Sequence, residues 1–216
     1  YLNSQIESIE IAGKSVRGLV FRRNDVSQKI TGDYYVSTIP LPELVRWIPP
    51  DWTGRTEIGR LRYRKMRLVN LIVFRDRILD CLEVFSMDRR HLFKRVYEPK
   101  AMSDTMAPSG KTSLCLEVCC NEGDEIEAMP AKDLVARCIG DLLSMKLLPS
   151  VEVVRDAFIV DVPNAYPIYQ IGFESERQKL TDLVGGMNNL ITCGRQGLFR
   201  YHAMTNEVME MAERVT

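Results

Sequence analysis

A chain of 216 residues with 45% hydrophobic and 27% charged side chains has the composition of an ordinary globular protein, long enough for one or two cores. Basic and acidic residues number 29 each, so no global field recruits nucleic acid or an acidic membrane, and a charged ligand has to be held by a local cluster. No apolar run approaches the roughly 20 residues of a membrane helix, no signal peptide is visible, and the six cysteines sit mostly in apolar stretches; the expectation is a cytoplasmic protein with reduced, buried thiols.

The chain opens on Tyr1, without methionine and already in a strand-like pattern, as a fragment or trimmed chain would. Ile6, Ile9 and Ile11 mark a first strand over 5–11, the turn Ala12-Gly13-Lys14 follows, and 15–22 form a second strand, together a hairpin. Residues 33–39 (DYYVSTI) read as a third strand ending at Pro40, with a short helical turn over Leu41–Trp47. Pro49 and Pro50 then mark a boundary, since neither helix nor central strand continues through two prolines. Beyond it come a short helix at 55–62, an apolar strand at 66–74, and strands at 81–87, 92–98 and 112–119, antiparallel where the connections are short, with a loop over 100–111. Leu134, Val135, Cys138, Ile139, Leu142 and Leu143 recur on one helical face between Pro130 and Pro149, which predicts a helix over 131–148. A strand at 151–160, an amphipathic helix at 174–184 closed by Gly185-Gly186, a strand at 189–193 (NLITC) and a helix at 205–215 complete the order.

Most candidate motifs have an ordinary explanation. Cys115, Cys119 and Cys120 lack a second CxxC and a nearby His, so a strand is the better context than a metal. The basic run Arg55, Arg60, Arg62, Arg64, Lys65 and Arg67 is interleaved with Leu61, Tyr63 and Met66 and reads as a solvated face entering a strand, not a nucleic-acid surface. The acidic run Glu122–Glu127 reads as a loop before a helix. Ser109-Gly110-Lys111-Thr112 ends like a P-loop but lacks its leading glycine.

The stretch 194–204, GRQGLFRYHAM, between a strand and the last helix, is different. Glycine lets backbone approach a ligand closely or take positive φ. Arg195, Arg200 and Tyr201 are donors for phosphate or carboxylate, and Thr205 or Asn206 can cap a helix whose start favours an anionic edge. His202, beside Tyr201, is a candidate proton carrier.

This stretch resembles the C-terminal signature of the flavin amine oxidase superfamily, and is especially similar to the UDP-galactopyranose mutase-like and protoporphyrinogen oxidase-like branches: Gly194, Arg195, Gly197, Phe199, Tyr201 and Met204 match, while Ala203 stands where an acidic residue usually precedes the Met. Residues 33–40 resemble the strand that leaves the FAD domain, 3–9 (NSQIESI) the strand running beside the FAD adenine with Ile6 at the matching place, and 163–169 (PNAYPIY) a segment that brings a tyrosine to substrate. The resemblance implies an α+β fold: returning strands of an FAD-binding domain over 1–47, a substrate domain of mixed, largely antiparallel sheet with helices over 48–185, and over 186–216 the C-terminal strand and helix of a Rossmann-like FAD-binding domain. It implies FAD contacts at Ile6, Gly194, Arg195, Met204 and Thr205, and substrate contacts at Tyr166, Arg195 and Tyr201. Tyr169 reads as a half-buried aromatic beside a proline turn.

No GxGxxG fingerprint occurs in the chain, so the segment that would grip the FAD pyrophosphate is missing, and the isolated polypeptide is expected to be colourless although the parent protein carries FAD. The implied activity is hydride transfer from a small molecule, a sugar nucleotide or an amine, to flavin. Rearrangement of a sugar nucleotide by reduced flavin is the alternative, and a non-catalytic domain binding a ligand or partner is the third reading.

Overall fold

The computed structural model describes residues 1–49, 61–201, 208–209 and 212–213. The predicted helix at 55–62 falls almost wholly outside the described residues; of the predicted helix at 205–215, residues 208–209 and 212–213 are described and helical. Two compact units emerge, one from residues 1–62 and 166–216 and the other from residues 63–165. These limits differ from 47/48 and 185/186, so the helix that precedes Gly186 groups with the chain ends.

In the first unit, β1 (Ser4–Ala12), β2 (Ser15–Arg23) and β3 (Val26–Ile30) form an antiparallel sheet in chain order. Gly13, at φ 58°, starts the two-residue turn between β1 and β2. The spacing of Ile6, Ile9 and Ile11 departs from strict alternation because a register shift between Ile6 and Ser8 restores the face. Sequence reading passed over β3, whose five residues are all exposed. Its turn is nevertheless marked by Asn24 and Asp25, both at positive φ (49° and 59°), the residue types that tolerate a type I′ hairpin.

β4 (Tyr35–Ser37) pairs in parallel with β10 (Leu190–Thr192), strands almost at opposite ends of the chain. The side chain of Asn189 fastens them to the hairpin: its Oδ1 accepts from the Val16 amide at 2.8 Å, and its Nδ2 donates to the Val16 and Asp33 carbonyls at 3.0 and 3.1 Å. The apolar face of α1 (Leu41–Arg46), with Leu41, Leu44 and Val45 buried, packs against α4 (Phe173–Gly185), which buries Leu180 and Val184. Gly186 is the C-cap of α4, with right-handed geometry, and the left-handed glycine is Gly172, φ 87°, at its N-cap.

The second unit is built on a five-stranded sheet in the order β6-β7-β8-β5-β9. Its strands are β5 (Arg62–Val73), β6 (Glu83–Phe85), β7 (Arg95–Tyr97), β8 (Thr112–Cys120) and β9 (Val154–Ile168). The predicted strand at 151–160 and the tyrosine-proline segment at 163–169 are one continuous β9 over most of their length. Pro163 and Pro167 are tolerated because β9 lies at the sheet edge, where a missing N–H breaks no ladder. Asp124 caps α2 (Glu125–Ala128) by accepting from the Glu127 amide at 2.9 Å, so part of the acidic run is a helical turn, not a loop.

α3 (Ala131–Ser144) lays Leu134, Cys138 and Leu142 on Val69, Leu71, Val73, Leu114, Leu116 and Val118 of the sheet. It ends four residues before the predicted limit, because Lys146 turns left-handed (φ 58°) and the Leu147 and Lys146 amides return to the Leu142 and Leu143 carbonyls, a Schellman closure. The fully buried Glu98 carboxylate accepts from the Leu79 amide (2.7 Å), the Ile78 amide (3.2 Å) and the Thr112 hydroxyl (2.6 Å), which holds the turn after β5 against β8. Among the described residues the structure is thus α+β and largely antiparallel, with β4 and β10 paired in parallel. Among the described residues no helix is long and apolar enough to cross a membrane.

Candidate functional site

β10 leads through Cys193 into a single helical turn, α5 (Gly194–Gly197). The two glycines of the Gly-Arg-x-Gly stretch do different things. Gly194 has φ 75°, and a Cβ built on it would meet no atom of the described residues within 4 Å beyond its own chain neighbours and turn, so the backbone there is open to approach from that side. A Cβ on Gly197 would meet the Thr192 Oγ1 at 2.7 Å and the Ser37 carbonyl at 3.2 Å. Gly197 is therefore a packing glycine that lets α5 sit against β4 and β10, and only Gly194 has the geometry of a glycine beside a ligand.

α5 closes as α3 does. The Arg200 and Phe199 amides donate back to the Arg195 and Gln196 carbonyls, at 3.1 and 3.3 Å, with Phe199 in the left-handed position at φ 49°. A bulky side chain at positive φ costs about 1–2 kcal/mol, and the fully buried Phe199 ring offsets it. That ring lies in a cluster with Tyr169 (6.3 Å between centroids) and Phe173 (6.2 Å), which themselves stack at 4.3 Å. The chain emerges from the turn at Tyr201, whose amide donates to the Tyr169 hydroxyl at 2.6 Å.

Three of the predicted residues meet here. The Arg195 guanidinium lies over the Tyr201 ring, 4.7 Å from its centroid, and the Tyr166 ring meets Tyr201 edge-on at 5.3 Å. Tyr201 is 58% exposed, so the group faces outward. The nearby Arg177 is buried and bonded to Glu174, whose carboxyl it holds below the usual carboxylate range, with a smaller pull from Arg200.

Ile6 is half-buried on the bulged part of β1, at the other end of the unit's sequence, next to an open groove of about 390 Å³ lined by Asn3, Ser4, Gln5, Arg22, Asn24 and Asp25. Met204 and Thr205 lie outside the described residues, as do His202 and Ala203. Among the described residues no three His, Cys, Asp or Glu side chains gather as metal ligands. None of the six cysteines is in a disulfide; Cys115, Cys120, Cys138 and Cys193 are buried, Cys119 is half-buried and, against the expectation of buried thiols, Cys81 is exposed. In the second unit a cavity of about 240 Å³ beside Lys65, Arg67, Glu127 and Asp161 has its cations and carboxylates paired with one another, which leaves it little net charge for a ligand.

Sequence reasoning took Tyr169 as a half-buried aromatic beside a proline turn and did not single out Phe173. The available signal was the Tyr-Pro-Ile-Tyr run with a further aromatic four residues on, but the Tyr169 bond to Tyr201 spans 32 positions and leaves no local trace.

No family model and no curated protein matches the chain. Solved structures do. A reduced UDP-galactopyranose mutase superposes with a TM-score of 0.71 at 19% identity, over 86% of this chain and 39% of that one. A protein described as a protoporphyrinogen oxidase, from Exiguobacterium sp. 255-15, gives 0.64 at 14% identity, over 98% and 46%. An oxidoreductase from Methanosarcina mazei gives 0.64 at 12% identity, over 97% and 49%. The fold is therefore one that these proteins carry in part of their length, and the chain spans less than half of each.

Proposed function

We propose that this chain is the C-terminal half of an FAD-dependent oxidoreductase of the flavin amine oxidase superfamily that transfers a hydride from a small-molecule substrate to the flavin. The observation that carries the reading is the turn after β10: an open backbone at Gly194, followed by Arg195 lying on an outward-facing Tyr201 beside Tyr166. The parallel pair β4 and β10 supports it. Parallel strands occur in sheets covered on both faces, whereas among the described residues this sheet has two strands of three residues each, a size that calls for further parallel strands. A dinucleotide-binding βαβ segment is what would complete it, and the 216 residues contain no GxGxxG turn of their own.

The residues present fit FAD in part. Gly194 leaves room for a flat ring at its backbone, and Ile6 on the bulged strand β1 would run beside the adenine. Met204 and Thr205 would follow at the flavin edge. Bound there, FAD supplies the electron chemistry. The chain's own residues bind and orient: Arg195 and the hydroxyls of Tyr166 and Tyr201 hold the anionic end of the substrate.

A second reading, sugar-nucleotide rearrangement on reduced FAD, is favoured by the same three donors, because one guanidinium and two phenols suit a diphosphate. Ala203, in place of the usual acidic residue, counts against it. Mixing the flavin-loaded product of the intact gene anaerobically with amines and with UDP-galactopyranose separates the readings. Bleaching of the flavin by an amine supports hydride transfer, and isomerisation only after chemical reduction supports the mutase-like activity. Failure to take up flavin would leave a ligand- or partner-binding domain.

A further inference from the structure

We propose that Tyr169 is a positioning residue for the Arg195–Tyr201 pair, acting through its hydroxyl. The proposal rests on the reading above that this pair faces a ligand. Tyr169 is anchored on one side by its stack on Phe173, the first residue of α4, and on another by the edge of the buried Phe199 ring. Its hydroxyl then takes the first amide after the α5 closure, that of Tyr201, at 2.6 Å.

The bond falls where the chain most needs one. Phe199 is held left-handed, a conformation its side chain disfavours, and Arg200 and Phe199 already spend their amides on closing α5. The Tyr169 hydroxyl is the acceptor that the Tyr201 amide meets among the described residues, and without it the ring on which Arg195 lies would sample other directions. Half of Tyr169 is exposed, so a packing role alone would not require the hydroxyl. A phenol so placed restricts the ring–guanidinium arrangement in advance of ligand, which lowers the ordering cost of binding.

Tyr169→Phe removes one oxygen and keeps the stack, so the fold is retained. The experiment compares the intact gene product with its Y169F variant, and with R195Q as a control for the anion site, by amide hydrogen exchange at Tyr201, affinity for UDP, and thermal midpoint. The expected result is about five-fold faster exchange at Tyr201 and about five-fold weaker UDP binding in Y169F, with a midpoint within about 2 °C of the parent. Unchanged exchange overturns the proposal, because the hydroxyl then holds nothing. Faster exchange with unchanged UDP affinity also overturns it, because the bond exists and positions nothing. If the parent protein fails to bind UDP and R195Q changes nothing, the diphosphate reading of the site falls and the proposal, which is read through UDP affinity, falls with it. If the parent binds UDP and R195Q does not, that reading stands whatever Y169F shows.

Discussion

Substituting Gly197 by alanine tests the packing between α5, β4 and β10 on which the candidate site is built. The added methyl would sit 2.7 Å from the Thr192 Oγ1 and 3.2 Å from the Ser37 carbonyl. Thr192 cannot swing away freely: it is 4% exposed, and its hydroxyl donates to the Gly197 carbonyl at 2.8 Å. Overpacking of this kind costs about 1–3 kcal/mol, and the fixed Thr192 puts Gly197→Ala near the upper end. Thr192→Ala alone loses one buried hydrogen bond, about 1 kcal/mol. In the double variant the closest obstacle is gone, so the two costs are expected to sum to about 1–2 kcal/mol less than additivity. Gly194→Ala is the contrast: no neighbour among the described residues obstructs it, its cost is the positive φ, about 1–2 kcal/mol, and Thr192→Ala leaves that cost unchanged. Exchange of the β10 amides in rising urea reads the first unit locally, since two units need not unfold together. A Gly197→Ala chain within about 0.5 kcal/mol of the parent, or strict additivity with Thr192→Ala, would refute the packing argument.

Three further outcomes follow from the geometry. Asn189→Asp replaces the amide that donates to the Val16 and Asp33 carbonyls by an acceptor facing two acceptors, so it should destabilise the first unit more than Asn189→Ala, which costs about 2–3 kcal/mol; equal midpoints for the two variants in urea would contradict the assignment. Burial pushes the Cys138 thiol up to about 12 from an ordinary value of 9.0. The unfolded chain therefore loses this proton first, and stability present below about pH 9 declines as pH rises toward 12, by at most about 1.4 kcal/mol per pH unit. In native protein at pH 8, iodoacetamide should modify the exposed Cys81 and spare Cys138; mass spectrometry showing Cys138 alkylated without unfolding would contradict its burial.

What the sequence reveals depends on whether the determining contact is local. α3 is legible because Leu134, Cys138 and Leu142 repeat at helical spacing, and its early end is not, because Lys146 is an unusual residue for a left-handed closure. β3 escapes detection because no face of it is buried, so alternation has nothing to report. β9 reads as two pieces because prolines look like breaks until the strand is known to be an edge. At the candidate site, Arg195, Tyr166 and Tyr201 are found from residue type and resemblance. The division of labour between Gly194 and Gly197 is not, because it depends on what each missing Cβ would touch. Tyr169 is hidden for the same reason: its partner is a backbone amide in another part of the chain.

The central claim is that the turn starting at Gly194 faces a flavin. The most direct test is a titration of the intact gene product with FAD, followed by its visible absorbance, beside the Gly194→Ala and Arg195→Gln variants. The account predicts stoichiometric uptake by the parent protein and a weakened or spectrally shifted complex in both variants. A parent protein that takes up no flavin, or variants that bind it with unaltered affinity and spectrum, would contradict it.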